Sequence, residues 1–220
     1  MSVHGTTTAE AVSLVVGELE RDIIFGSFLP RQRLYEDEFI LRFDTKRHIV
    51  RAALQELERR GIVERHPNRG AVVRHFSREE VAALYELRAI LHDAAARRMR
   101  LPADPSWLDA LRTAQEQHAK AVAGGDLGEI FAANSQFHRR LFEGTGNSYL
   151  VEAIDLSNAK THGIRSHGLG VPGLPEKARD EHLAMIEAIE AGDLEKLAFL
   201  CVAHMNPARA FYEAKYCRPG

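Results

Sequence analysis

The stretch "DTKRHIVRAALQELERRGIVERHPNRGAVV", residues 44–73, combines two kinds of periodicity. In its first half, apolar residues recur at the 3.6-residue spacing of an amphipathic helix, and Gly61 stands where a helix commonly ends. In its second half, two β-branched runs flank "HPNRG", residues 66–70, whose proline, asparagine and glycine favour a turn. The stretch therefore predicts a helix followed by a β-hairpin, with Asp44 or Thr45 as the cap that starts the helix.

Two further helices are predicted before this stretch. Apolar residues keep helical spacing over residues 9–25, and a break with Gly26 and Pro30 separates them from the short helix "YEDEFILRF", residues 35–43. Residues 31–75 carry eleven lysines and arginines against seven acidic residues, although the net charge of the chain is −2. Three helices and a hairpin with a local basic excess predict a winged helix-turn-helix domain whose partner is anionic.

In such a domain the third helix enters the major groove of double-stranded DNA, and its first residues reach the base edges. Arg47 and Arg51 lie one turn apart on one face, and the guanidinium fork suits bidentate contacts to guanine or phosphate. Arg69 at the hairpin tip would reach the minor groove or the backbone, and Gly70 permits close approach. The predicted DNA-binding residues are Lys46, Arg47, His48, Arg51, Arg69 and Gly70. The alternative is a winged helix that binds protein.

From Ser77 onward the sequence has the periodicity of helices, without the pattern of a strand. Ser77 and Glu80 form a predicted capping box, and "AGGD" and "AGD" each pair a stop glycine with an aspartate cap for the next helix. Helices are expected near residues 105–123, 126–143, 147–163, 176–190 and 193–216, with a loop at 168–176. The predicted fold is therefore mainly α, with a winged helix-turn-helix over residues 1–76 and an all-α antiparallel helical bundle over residues 77–220.

In several helices of the bundle, a polar residue lies on the apolar face. In "NSQFHRRLF", residues 134–142, Asn134 and His138 lie one turn apart on the apolar side of the helix. His182 and His204 are likewise in phase with the apolar residues of their own helices. One buried histidine is usually only hydrogen-bonded, but three histidines and an amide turned to a shared interior predict a divalent metal site. Imidazole ligands favour Zn or Ni.

The N-terminal motifs carry a family resemblance. "IFGSFLPRQRL" at 24–34, "RHIVRAALQELERRG" at 47–61 and "VERHPNRGAVV" at 63–73 together resemble the DNA-binding domain of GntR-type bacterial transcription regulators. The resemblance implies that Arg47 and Arg51 contact DNA and that Gly70 lies in the wing. The chain has "DTKRHI" where the family usually has a Gly-hydrophobic-Ser-Arg-Thr-Pro turn, so the resemblance does not give the operator sequence.

The C-terminal part resembles the all-helical FCD ligand-binding domain that follows the winged helix in one branch of these regulators. The motifs are "LYELRAIL" at 84–91, "NSQFHRRLFEGTGNSYL" at 134–150 and "EHLAMIEAIEAGD" at 181–193. Many such domains hold a metal through an aspartate and three histidines. This resemblance implies the ligand set Asn134, His138, His182 and His204, with Asn134 at the position of the aspartate.

The same resemblance suggests an effector site beside the metal. Arg88 would clamp a carboxylate, and His92, at a position where glutamate is common, would face the same cavity. Arg165 is a third candidate, although a surface position is equally compatible with the glycine- and proline-containing loop that follows it. Cys201 is expected to be core packing and not a ligand.

Together these features predict a ligand-responsive transcription regulator and no enzyme: a repressor that binds a pseudo-palindromic operator as a homodimer and senses a small organic acid. The alternatives are a metal-dependent enzyme built on the helical domain and a regulator whose metal is purely structural. Two cysteines, no signal peptide and no apolar run near the roughly 20 residues of a membrane span favour the cytoplasm, with no membrane partner.

Overall fold

The computed structural model describes residues 7–66 and 70–217. They form two compact units, which divide between Phe76 and Ser77. Within the described ranges, each helix is too short or too polar to cross a membrane.

The first unit contains three helices and a small antiparallel sheet. The strands are ordered β1-β3-β2, and β2 pairs with β3 as the predicted hairpin. The two-residue strand β1 was not predicted; it pairs Arg33 with Val72 and Leu34 with Ala71. The elements are α1 (Thr8–Ile24), β1 (Arg33–Leu34), α2 (Glu36–Phe43), α3 (Arg47–Arg59), β2 (Val63–His66) and β3 (Gly70–Val73). This is the predicted winged helix architecture.

The two ends of α3 show one confirmed expectation and one correction. At its C-terminus, Gly61 has φ +70°, and the amides of Gly61 and Ile62 donate to the carbonyls of Glu58 and Leu57, a Schellman motif. At its N-terminus the predicted cap is wrong. Lys46 occupies the cap position without a side-chain hydrogen bond. Asp44 instead ends α2 in the left-handed conformation, which short polar residues tolerate.

The core of the first unit joins α1 to α3. Leu19 of α1 and Val50, Leu54 and Leu57 of α3 are fully buried. Because the apolar face of α3 packs against α1, the opposite face, with Arg47, His48 and Arg51, stays exposed.

The second unit is entirely helical within the described residues. Asp126 and Asp193 accept hydrogen bonds from the amides of Glu129 and Lys196 and so cap two helices as predicted. Ser77 caps another in the same way. The helices are α4 (Arg78–Ala96), α5 (Pro105–Gly124), α6 (Leu127–Glu143), α7 (Ser148–Lys160), α8 (His162–Leu169), α9 (Leu174–Glu190), α10 (Leu194–Ala203) and α11 (Asn206–Tyr216).

Two boundaries in this unit differ from the sequence expectation. The single helix predicted over 193–216 is interrupted after Ala203, because Pro207 has no N–H to donate to the Ala203 carbonyl. The segment between α7 and α9 holds α8 where the end of a helix and a loop were expected. Both differences matter for the site. The interruption after Ala203 places His204 at the end of α10, and helix α8 carries Arg165.

Candidate functional site

Three imidazoles from three parts of the second unit converge on one point. His138 lies on α6, His182 on α9, and His204 directly follows α10. The Nε2 atom of His138 is 3.1 Å from Nε2 of His204 and 3.3 Å from Nε2 of His182. His138 and His182 are buried, and a ligand atom from each of the three lies within 4.8 Å of the others. The predicted convergence of the three histidines is therefore present.

The two spacings measured from Nε2 of His138 fit a divalent ion. Zn–N bonds of about 2.0–2.1 Å at tetrahedral angles separate two ligand nitrogens by about 3.3–3.4 Å, and right angles separate them by about 2.9 Å. Burial is the main cause that lowers the pKa of His138 and His182 well below the ordinary value. Both rings are therefore neutral and have a lone pair available for a metal.

Two residues that sequence reasoning missed orient the histidines. Nδ1 of His204 is 2.6 Å from Oε2 of Glu181, and since a carboxylate only accepts, Nδ1 carries the proton. Nδ1 of His182 donates to Oε1 of Gln115 at 3.0 Å. The Gln115 amide is itself fixed because its Nε2 donates to the Arg179 carbonyl at 2.8 Å. With the proton on Nδ1, both histidines direct Nε2 to the centre. Glu181 and Gln115 thus orient the rings as the hydrogen-bond partners of ligating histidines do in metal sites.

A cavity of about 90 Å³ opens beside the triad. Asn134 is half-buried and lines it on α6 together with His138, so the predicted amide lies at the site. Arg88 and Arg165 also line the cavity, as do His118, Tyr85 and an apolar wall that includes Ile130 and Leu174. The structure brings together the predicted metal ligands and two of the three predicted effector residues.

The two arginines of the cavity, Arg88 buried and Arg165 half-buried, have no anionic partner among the described residues. Nε of Arg88 donates to Oδ1 of Asn158 at 3.2 Å, and its guanidinium lies 5.0 Å from the centroid of the Tyr85 ring. The Arg165 guanidinium lies 4.9 Å from the centroid of the Phe131 ring. Burial and the charge of Arg88 lower the pKa of Arg165 to about 9, so it remains a cation at neutral pH. Among the described residues neither arginine forms an ion pair.

His92 has a different position from the one expected. Its buried ring packs 4.7 Å from the centroid of Phe142 and 6.3 Å from that of His138, outside the described residues that line the cavity. His92 does not line the cavity, so its direct contact with an effector stays a prediction.

The predicted DNA-contacting residues of α3 are exposed. Lys46, His48, Arg47 and Arg51 all face solvent, and the two arginines have side-chain exposures of 53% and 57%. Nη2 of Arg47 is 2.7 Å from Oδ1 of Asp37, and Nε of Arg51 is 3.0 Å from Oε2 of Glu36. These acidic partners lie in the first turn of α2.

Only part of the wing lies within the residues that the structure describes. Gly70 begins β3 with φ +73°, a conformation that favours glycine. Arg69 lies outside the described residues.

Residues 12–73 match the gntR family of bacterial regulatory proteins, and residues 83–207 match the FCD domain. Similar curated proteins include the HTH-type transcriptional regulator YdhC of Bacillus subtilis, 25% identical over 86% of this chain and 85% of the relative. The HTH-type transcriptional repressor RspR of Escherichia coli is 25% identical over 86% of this chain and 82% of the relative. A relative in Paenarthrobacter nicotinovorans, named as a transcriptional repressor of a D-xylose utilization operon, is 26% identical over 73% of this chain and 70% of the relative.

Two solved structures resemble the fold over almost the whole chain. A GntR transcriptional regulator from Rhodococcus sp. RHA1 has a TM-score of 0.66 at 22% identity, covering 94% of this chain and 99% of that one. McbR/YncC of E. coli has a TM-score of 0.65 at 19% identity, covering 94% and 98%. At these identities the likeness shows the fold alone.

Proposed function

Because the chain belongs to the GntR family of bacterial transcription regulators and carries an FCD domain, we propose that it is a repressor whose DNA binding responds to a small organic acid. The acid binds in a metal-containing pocket of the helical unit. The observation that carries the proposal is a cavity in which two arginines, Arg88 buried and Arg165 half-buried and both without an ion pair among the described residues, face the same space as a convergent histidine triad.

The residues that hold the metal in this proposal are His138, His182 and His204, with Asn134 beside them. The donor set of neutral imidazoles favours Zn or Ni, and Asn134 contributes a neutral amide oxygen instead of a carboxylate. A bound divalent ion supplies a Lewis-acid position that attracts a carboxylate. Glu181 and Gln115 hold two of the imidazoles in the tautomer that this role requires.

The effector in this proposal is an anion because the cavity has an excess of positive charge. Arg88 and Arg165 offer forked donors that match a carboxylate, and their burial strengthens such a pair. The cavity volume of about 90 Å³ is far below that of sites for drug-sized ligands. A compact acid of a few carbon atoms therefore suits the space.

The DNA-binding residues are Lys46, Arg47, His48, Arg51 and Gly70, with Arg69 proposed from the sequence alone. A homodimer presents two copies of α3 to a pseudo-palindromic operator. Leu87 and Ile90, which lie on one exposed face of α4 with 44% and 61% exposure, support self-association of the helical unit.

Regulation in this proposal follows from linkage. An acid that binds more tightly to a state with low DNA affinity shifts the population to that state, and a coupling free energy of about 1–3 kcal/mol changes the DNA affinity by about 5- to 150-fold. Release of DNA by the acid would make the protein a repressor that is relieved by its effector.

A second candidate function is a regulator with a purely structural metal. The burial of His138 and His182 favours it, because an ion held there also ties α6 and α9 to the end of α10. In that case the metal raises stability and no acid changes the DNA affinity.

One experiment separates these functions. The melting temperature of the full chain is measured with Zn²⁺ or Ni²⁺, with chelator, and with a panel of mono- and dicarboxylic acids, and DNA affinity is measured under the same conditions. Stabilisation by metal together with one acid that also lowers DNA affinity supports the proposal. Stabilisation by metal alone, with DNA affinity indifferent to every acid, supports the structural metal. A chain that binds no metal contradicts both.

A further inference from the structure

His118 is a buried imidazole that lines the cavity. It lies on α5, has no exposed surface, and neither of its ring nitrogens has a hydrogen-bond partner among the described residues. Buried polar groups are nearly always paired, and an unpaired one lowers stability. A side chain of this kind at the edge of a ligand cavity points to a partner that arrives with the ligand.

The position of His118 separates it from the metal ligands. Its ring centroid is 4.7 Å from that of His182, whose ring also stacks on Phe137 at 3.8 Å. His118 is not among the three histidines whose ligand atoms converge. His118 has no hydrogen-bond partner among the described residues, and a neutral imidazole offers one donor and one acceptor.

The other charged groups of the cavity leave a specific chemical gap. Arg88, Arg165 and Lys177 are donors only. Of the acceptors, Oε2 of Glu181 accepts from His204, Oε1 of Glu181 lies 3.7 Å from Nζ of Lys177, and the Asn134 amide belongs to the proposed metal site. Donors alone satisfy a carboxylate, whereas a hydroxyl group needs an acceptor for its proton as well as a donor. His118 offers that acceptor near the triad. At the arginine end, the Tyr85 hydroxyl is also buried without a partner that satisfies hydrogen-bond geometry.

We propose that His118 recognises a hydroxyl group of the effector, so that the pocket selects hydroxy acids over the corresponding unsubstituted acids. This inference rests on the proposed sensing function and names the chemical class of the ligand. The carboxylate is bound by the arginines and the metal end, and the hydroxyl completes the hydrogen bonds of His118. A plain acid leaves His118 buried and unpaired, which is the usual origin of strong selection for a hydroxyl.

The test uses the Zn²⁺-loaded full chain and two matched pairs of acids, malate with succinate and lactate with propionate. Dissociation constants are measured by calorimetry for the wild type, His118→Phe and His118→Gln. Phenylalanine keeps a ring of similar size without hydrogen bonds, and glutamine keeps a donor and an acceptor. Gln117→Leu is the control, because Gln117 is an exposed side chain on the same helix outside the cavity lining.

We expect the wild type and Gln117→Leu to bind the hydroxylated member of a pair at least about tenfold more tightly. In His118→Phe that ratio falls below about twofold while the affinity for the plain acid is kept, and His118→Gln retains part of the ratio. A hydroxyl preference that persists in His118→Phe overturns the inference, as does a wild type that prefers the plain acid.

Zn²⁺ affinity gives the second readout. It is expected to be unchanged in His118→Phe, and a tenfold fall would show that His118 only supports His182, which also overturns the inference. If the wild type binds none of the four acids and no other carboxylate, the sensing function itself fails; if it binds acids without regard to His118, only the role of His118 fails.

Discussion

Arg47 and Arg51 on α3 and Arg88 and Arg165 around the cavity are the same side chain in two opposite settings. The first two are more than half exposed and each pairs with a carboxylate of α2. The second two line a buried cavity and have no acidic partner among the described residues. Of these four arginines, only the two of α3 are paired with a protein carboxylate among the described residues, whereas the cavity carboxylate of Glu181 is paired with His204.

The difference has an energetic meaning. An exposed ion pair stabilises a protein by little, because water and salt screen it, so Arg47 and Arg51 can exchange their carboxylates for phosphates at small cost. A buried guanidinium without an anion is destabilising, and a ligand that supplies one recovers that loss. The surface of α3 is therefore suited to reversible, salt-dependent binding, and the cavity is suited to a small ligand held by strong charge-assisted bonds.

The largest effect is expected on the buried side, at the triad. His204→Ala removes one of three converging ligands at the least buried position of the three, which limits damage to the core. We expect Zn²⁺ affinity to fall by more than about a hundredfold, beyond the loss usual for supporting residues. Competition with a chromophoric chelator measures it, and His92→Phe provides a control that keeps the triad. Unchanged affinity in His204→Ala would place the metal elsewhere.

A smaller loss is expected when a supporting residue is changed. Gln115→Leu removes the acceptor of the His182 Nδ1–H and frees the ring to adopt the other tautomer. Zn²⁺ affinity should fall by about 10- to 100-fold. The nearby Gln117 is an exposed glutamine on the same helix, so Gln117→Leu is a matched control with no expected change. Equal affinities in the two variants would exclude a supporting role for Gln115.

Features that depend on local sequence or on helical periodicity could be predicted in the helical unit. Helix caps such as Asp126 and Asp193 were predicted because capping is local. The convergence of His138, His182 and His204 was predicted because each lies in the apolar phase of its own helix, and a shared core brings such faces together.

Other features depend on distant partners or on weak patterns. Gln115 was missed because its role depends on a histidine of another helix, although its position in the buried phase of α5 marked it as unusual. The two-residue strand β1 is too short to have a period. Helix α8 has the sequence "HGIRSHGL", and its glycines and lack of a clear apolar face made this helix, which carries Arg165, hard to predict.

On the exposed side, Arg47→Ala tests whether α3 is the DNA-contacting surface. A side chain that reaches a base or phosphate contributes about 1–3 kcal/mol. Because Arg47 must first leave Asp37, we expect about 1–2 kcal/mol, or about a 5- to 30-fold loss of affinity for a DNA site selected in vitro. Fluorescence anisotropy at two salt concentrations measures the loss and the salt slope.

The control for Arg47→Ala is Arg59→Ala. Arg59 is also an exposed, ion-paired arginine of α3, but it lies in the last turn and pairs with Glu56. A larger loss in Arg59→Ala than in Arg47→Ala would move the DNA contact to the other end of the helix.

The smallest expected effect has the opposite sign. Asp37→Asn removes the nearer of the two carboxylates that compete with phosphate for Arg47, the other being Glu36, at a pair that is exposed on both sides. Since such pairs are worth little, DNA affinity should rise by only about 1.5- to 5-fold, and the gain should shrink at high salt. Glu38→Gln is the matched control, because it removes the same charge from the same first turn of α2 without touching the Arg47 pair. A similar gain in both variants would mean that the acidic turn repels DNA through its net charge, and a gain confined to Asp37→Asn would mean that Asp37 holds Arg47 in competition with the duplex.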